Sequence, residues 1–138
     1  MKTNYVWKTS RDKKNVGDLY AGATNNPGFE TGQRWAHYAR KTPYGQTYAS
    51  DIHVVRQWES GYAHETVSKN EQIEINTIRK VAFDLRSVGM KCQCLNVQNP
   101  NKDYLGIIDK ELYKDILNSS SDQLQLVFWN HRTLPLQG

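Results

Sequence analysis

Three residue types stand at four positions in an order that suits phosphodiester hydrolysis: tyrosine, tyrosine, arginine, glutamate. Tyr5 and Trp7 lie two apart in an aromatic, β-branched segment, so on a strand they share a face. Tyr20 stands on a second such segment, immediately before Ala21-Gly22. Arg34 falls in the first turn of one expected helix and Glu74 in the first turn of another. A hydrogen-bonded or anionic phenol helps deprotonate an attacking water. An arginine neutralises non-bridging phosphate oxygens through paired donors. A carboxylate holds a magnesium ion that keeps several of its waters. Each residue also has a plainer reading: packing for the tyrosines, a surface ion pair for Arg34, and the helix dipole for Glu74.

Other chemistries lack their signatures. No Cys/His set has zinc-finger spacing, and no G-x-x-x-x-G-K-[ST], G-x-G-x-x-G, G-x-S-x-G or H-E-x-x-H is present. His37, His53, His64 and His131 are scattered. The two cysteines, Cys92 and Cys94, are alternate neighbours and make no disulfide scaffold, so a reducing, cytoplasmic setting is expected. No apolar run is long enough for a membrane span, and the first residues hold no secretory h-region.

The 138 residues suit one domain. The formal charge is +4, and its distribution says more than its size. Lys2, Lys8, Arg11, Lys13 and Lys14 crowd the first segment, and Arg34, Arg40 and Lys41 follow. A basic N-terminal half suits a phosphate-backbone binder, although a solvated basic surface reads the same way.

The elements that must position these residues follow from periodicity and punctuation. Segments 4–9 and 18–23 read as a leading hairpin of strands, and Gly22 implies a close approach to the backbone. Thr31 caps an expected helix over 33–41. Ile52, Val55 and Trp58 form a stripe that predicts a helix over 51–58. Segment 62–67 alternates as a third strand. Asn70 is an expected cap for the longest helix, over 71–88, with Ile75, Ile78, Ala82 and Leu85 on one face and Gly89 ending it. A short strand over 90–96, a loop, a helix over 109–117 capped by Asp109, and a strand over 124–129 complete the chain. The order β-β-α-α-β-α-β-α-β argues for a small α+β fold with a mixed antiparallel sheet flanked by helices, not a parallel βαβ array.

The residues Tyr20-Ala21-Gly22, then Ala23-Thr24-Asn25, then Arg34-Trp35, then Glu74 with Ile78, then Gly89 and Leu95-Asn96, together resemble the GIY-YIG nuclease superfamily. Tyr5 stands for the tyrosine of the first strand in one register, and Trp7 falls there in another. The likeness covers roughly residues 3–97, so 1–103 is expected to be the nuclease core and 104–138 a C-terminal helix–strand extension packed on the same domain. The resemblance implies a divalent-metal-dependent DNA endonuclease, of a restriction or mobile-element kind, using Mg²⁺ or Mn²⁺. It implies that Tyr5 or Tyr20 positions or deprotonates water, that Arg34 stabilises the scissile phosphate, that Glu74 holds the metal, and that His37 or Tyr38 assists the water or relays its proton. Glu71, one turn earlier, is the rival ligand. Lys8, Lys13, Lys14, Asn25, Arg40, Lys41 and Asn96 are the expected nucleic-acid contacts, with double-stranded DNA as partner and a homodimer where both strands are cut. The competing readings are a non-catalytic nucleic-acid-binding module, with Tyr5, Trp7, Trp35 and Trp58 stacking on bases, and a protein-interaction domain.

Overall fold

A computed structural model describes residues 1–9, 15–25 and 52–118. Among these, the chain is α+β. Strands β1 (Lys2–Thr9), β2 (Asn15–Thr24), β3 (Ile52–Gly61) and β4 (Lys91–Cys94) form one sheet in the order β3-β1-β2-β4. Helices α1 (His64–Ser87) and α2 (Lys110–Asn118) complete the described elements. β1 pairs antiparallel with both β2 and β3, and β4 joins β2 in parallel, so the sheet is mixed. The expected helix over 33–41 and strand over 124–129 lie outside the described residues.

The alternation on β1 and β2 sorts the sheet into two faces. Val6 pairs with Ala21, and both join Leu19 in the main core. That core is completed by the α1 stripe Ile75, Ile78, Ala82 and Leu85, each at most 2% exposed, and by Leu112, Ile116 and Leu117 of α2. Full burial of one such side chain contributes about 1.5–3 kcal/mol, so the stripe is what docks the helix. The odd residues Tyr5 and Trp7 form a second cluster with Tyr20. The two ends read from sequence are in place. Gly89 takes φ 86°, with Gly89 N–H donating to Arg86 and Met90 N–H donating to Leu85, a Schellman stop. Asp109 Oδ1 accepts the Leu112 N–H at 3.0 Å and caps α2.

Two expectations are corrected. Residues 51–58 do not form a helix: β3 occupies Ile52–Gly61. Ile52, Val54 and Val55 are β-branched and stiff, and the unpaired side of β1 offers a ladder that a short apolar run cannot announce by its own periodicity. The register of β3 shifts between Val6 and Trp7, which face Arg56 and Val54 respectively. That bulge at Val55 brings Arg56 opposite Val6, on the side that α1 covers. Residues 62–67 are not a strand either. β3 ends at Gly61, which takes φ 81°, and α1 begins at His64, where the Val67 N–H donates to the Ala63 carbonyl. Residues 64–67 form the first turn of α1, where Val67 is buried, and Asn70 lies inside the helix instead of capping it.

Candidate active-site cleft

Tyr5, Trp7 and Tyr20 pack together at 1%, 1% and 7% exposure. Ring centroids are 5.2 Å apart for Trp7–Tyr20 and 6.2 Å for Tyr5–Tyr20, within the range of favourable aromatic pairs. Tyr5 pairs with Gly22 across the ladder, and its phenol lies over that glycine. A Cβ at position 22 would stand 2.6 Å from Tyr5 Cζ, so the close approach that the glycine implied is the Tyr5 ring itself.

Asn96 secures the same element from the other side. Its side-chain amide accepts the Ala21 N–H at 2.9 Å and donates to the Ala21 carbonyl at 2.8 Å. It thereby continues, as a stand-in for backbone, the parallel ladder that the Leu95 N–H to Leu19 carbonyl bond closes at 2.8 Å. The residues after Asn96 are tied to α1 by amides. Buried Gln72 donates to Asn99 at 3.2 Å and accepts the Asn101 N–H, while Asn76 donates to the carbonyls of Tyr104 and Ile107. This lashing holds Val97, Gln98 and Pro100 as one wall of a cleft of about 350 Å³. Tyr20, Asn96 and Glu71 line the same cleft.

Glu74, three residues further along α1, has a different setting. It is 1% exposed, and neither carboxyl oxygen has a hydrogen-bond partner of normal length and angle. Its surroundings are Arg56 and Trp58 of β3 and Asp109 at the head of α2. Arg56 Nη2 stands 4.0 Å from Glu74 but donates to Asp109 at 2.8 Å, and its guanidinium lies 5.3 Å from the Trp58 ring centre. Burial pushes the Glu74 carboxyl up to about 8, against the opposing pull of Arg56 and of the Trp58 indole, which lies in looser reach. Glu71 and Asp109 add to the rise. Asp109 moves the other way: burial works upward, but the Leu112 N–H and Arg56 hold its carboxyl below the usual value.

Magnesium takes oxygen ligands and keeps several waters. The cleft beside Glu71 has a carboxylate and open volume, whereas Glu74 is enclosed at 1% exposure near the Arg56 guanidinium. Among the described residues there is no group of three or more His, Cys, Asp or Glu arranged to hold a metal.

The remaining expected site residues divide as follows. Tyr5, Tyr20 and Asn96 converge, as described. Lys8 is buried at 4% exposure on the strand β1, where desolvation lowers its ammonium pKa with Cys92 working the other way. Asn25 is exposed just beyond β2. Lys13, Lys14, Arg34, His37, Arg40 and Lys41 lie outside the described residues. The sequence marks Asp109 only as a cap and does not single out Arg56; no local signal marks their meeting, which joins residues 53 apart. Glu71 had a signal: the Glu-x-x-x-Ile spacing occurs twice in EQIEINTI, at Glu71/Ile75 and at Glu74/Ile78. Among the described residues no helix is long and apolar enough to cross a membrane. No protein-family model, curated protein or solved structure matches the chain.

Proposed function

We propose that this chain is a divalent-metal-dependent phosphodiester hydrolase acting on DNA, built on a GIY-YIG-like core. The observation that carries the reading is that Tyr20 and Glu71 share one cleft, with Asn96 clamping the backbone between Tyr20 and Gly22. Tyr5 stands behind Tyr20 and sets its ring. Tyr20 is the water-orienting phenol, because it lines the cleft whereas Tyr5 lies over Gly22. Glu71 would hold Mg²⁺ or Mn²⁺, which when bound supplies positive charge to the phosphoryl oxygens. The carboxylate assigned to the metal is thereby moved from Glu74 to Glu71. Arg34 and His37 keep the roles that the resemblance implies, charge neutralisation at the scissile phosphate and assistance to the water. Cytoplasmic residence, double-stranded DNA as substrate and a homodimer for double-strand cutting belong to the same proposal.

The test is incubation of the purified chain with plasmid DNA, in Mg²⁺ and in EDTA. Nicking or linearisation that needs the metal, and that Tyr20→Phe slows by about 10²-fold, is expected. A gel shift without cleavage in Mg²⁺ would replace the hydrolase with a nucleic-acid-binding module. Neither cleavage nor shift would end the nucleic-acid reading.

A further inference from the structure

A second cleft, of about 390 Å³, lies between α1 and β4 and shares Asn96 with the first. Arg79 and Arg86 line it. They are seven residues apart on α1, two turns, and therefore on one face about 10 Å apart along the axis. Gln93 of β4, exposed, and Cys94 form the opposite side.

The charge in this cleft is one-sided. Arg79 donates to Asn99 Oδ1 at 2.6 Å and, at 3.5 Å, to the carbonyls of Val97 and Gln98; Arg86 donates to the Cys92 carbonyl at 2.9 Å. All of these acceptors are neutral. They aim the guanidiniums without cancelling them, and a guanidinium has five N–H donors, so each retains donors for a further acceptor. Among the described residues neither arginine has a salt bridge, and no carboxylate lines the cleft. The Cys94 thiol adds no anion, since burial raises its pKa. Two aimed, uncompensated guanidiniums beside an exposed amide suit a phosphate oxygen pair, the geometry that arginine recognises bidentately.

We propose that the Arg79–Arg86 cleft is a subsite for a backbone phosphodiester of the nucleic acid, next to the Tyr20–Glu71 cleft across Asn96. It rests on the proposed function in taking nucleic acid as the ligand. The strand would leave the reacting cleft over Asn96 and run along the α1–β4 edge. The contact would add affinity and register but read no base.

The experiment measures binding of the full chain to a fluorescent DNA duplex in EDTA, across a range of salt concentrations. Each phosphate contact contributes about 0.9 to the slope of log K against log salt. The Arg79→Gln, Arg86→Gln double variant is expected to bind more weakly, with a slope smaller in magnitude by about 1–2. The Arg79→Lys, Arg86→Lys pair, which keeps the charges, is expected to restore most of the slope. Weaker binding with an unchanged slope would overturn the subsite, because it would mean that Arg79 only tethers the 97–99 segment. Failure of the wild type to bind DNA would overturn it as well. Cleavage in Mg²⁺ is read separately. A cleaving wild type whose slope ignores both arginines loses the subsite and keeps the hydrolase. A slope that responds to them, in a protein that never cleaves, keeps the subsite and loses the hydrolase.

Discussion

Glu71 and Glu74 are the same residue type, three positions apart in one helix, yet the fold gives them different surroundings. An offset of three residues turns a side chain by about 60° around the helix. On α1 that is enough to send Glu71 to the β2–β4 side, beside Tyr20 and Asn96, and Glu74 to the β3–α2 side, beside Arg56 and Asp109. Glu71 borders an open cleft, the place proposed for the cation. Glu74 is sealed at 1% exposure, where burial pushes its carboxyl up to about 8. A carboxylate's surroundings are therefore set by what the sheet places beside it, not by its helix position alone.

The largest effect that would break this contrast is on cleavage. Glu71→Gln is expected to lower the metal-dependent rate by about 10³-fold, the scale of losing one charge-stabilising group at a reacting phosphate. Glu74→Gln is expected to keep most of the rate. The reverse outcome, measured with both variants folded by circular dichroism, would return the metal to Glu74.

Next comes the scaffold on the Glu71 side. Gly22→Ala forces a methyl against Tyr5, and about 2–3 kcal/mol of stability is expected to be lost, read as a lower urea midpoint. Combining it with Tyr5→Leu should cost less than the sum of the two single changes. Full additivity would mean that the ring and the glycine do not meet.

The Glu74 side is sharpened by pH. A carboxyl raised from 4.5 to about 8 binds more protons folded than unfolded, so its contribution favours folding below pH 4.5 and is lost as pH rises towards 8. The wild-type urea midpoint should fall across that window. Glu74→Gln should flatten the fall, and its advantage at pH 8 should vanish towards pH 4.5. A variant with the wild-type slope would show that Glu74 ionises freely.

The smallest effect is a shift of that window. Asp109→Asn keeps a capping side chain on α2 but removes the charge that holds Arg56. Arg56 is then left to Glu74, and the upper end of the pH window should move down. No movement would mean that Arg56 does not act on Glu74.

Local features were legible from sequence wherever a residue's neighbours in the chain decide its conformation. The hairpin alternation placed Tyr5 and Trp7 on one face and Val6 on the other. Gly22 announced a close approach, Gly89 a helix stop and Asp109 a cap, and each does that work. The stripe Ile75, Ile78, Ala82, Leu85 is the buried face of α1. In 51–58 the short apolar pattern fits both periods, and the unsatisfied side of β1 chose the strand; 64–67 became the first turn of α1.

The sequence by itself determined an α+β chain with a leading hairpin, a long amphipathic helix and a basic N-terminal half, because these depend on spacing and side-chain type. Tertiary structure alone decided that Asn96 substitutes for backbone against Ala21, 75 residues away, and that a bulge at Val55 turns Arg56 towards α1. It also gave two glutamates three residues apart different surroundings, one beside a cleft and one enclosed. Desolvation and the position of a counter-charge set a carboxyl's chemistry, and both are supplied by residues distant in sequence.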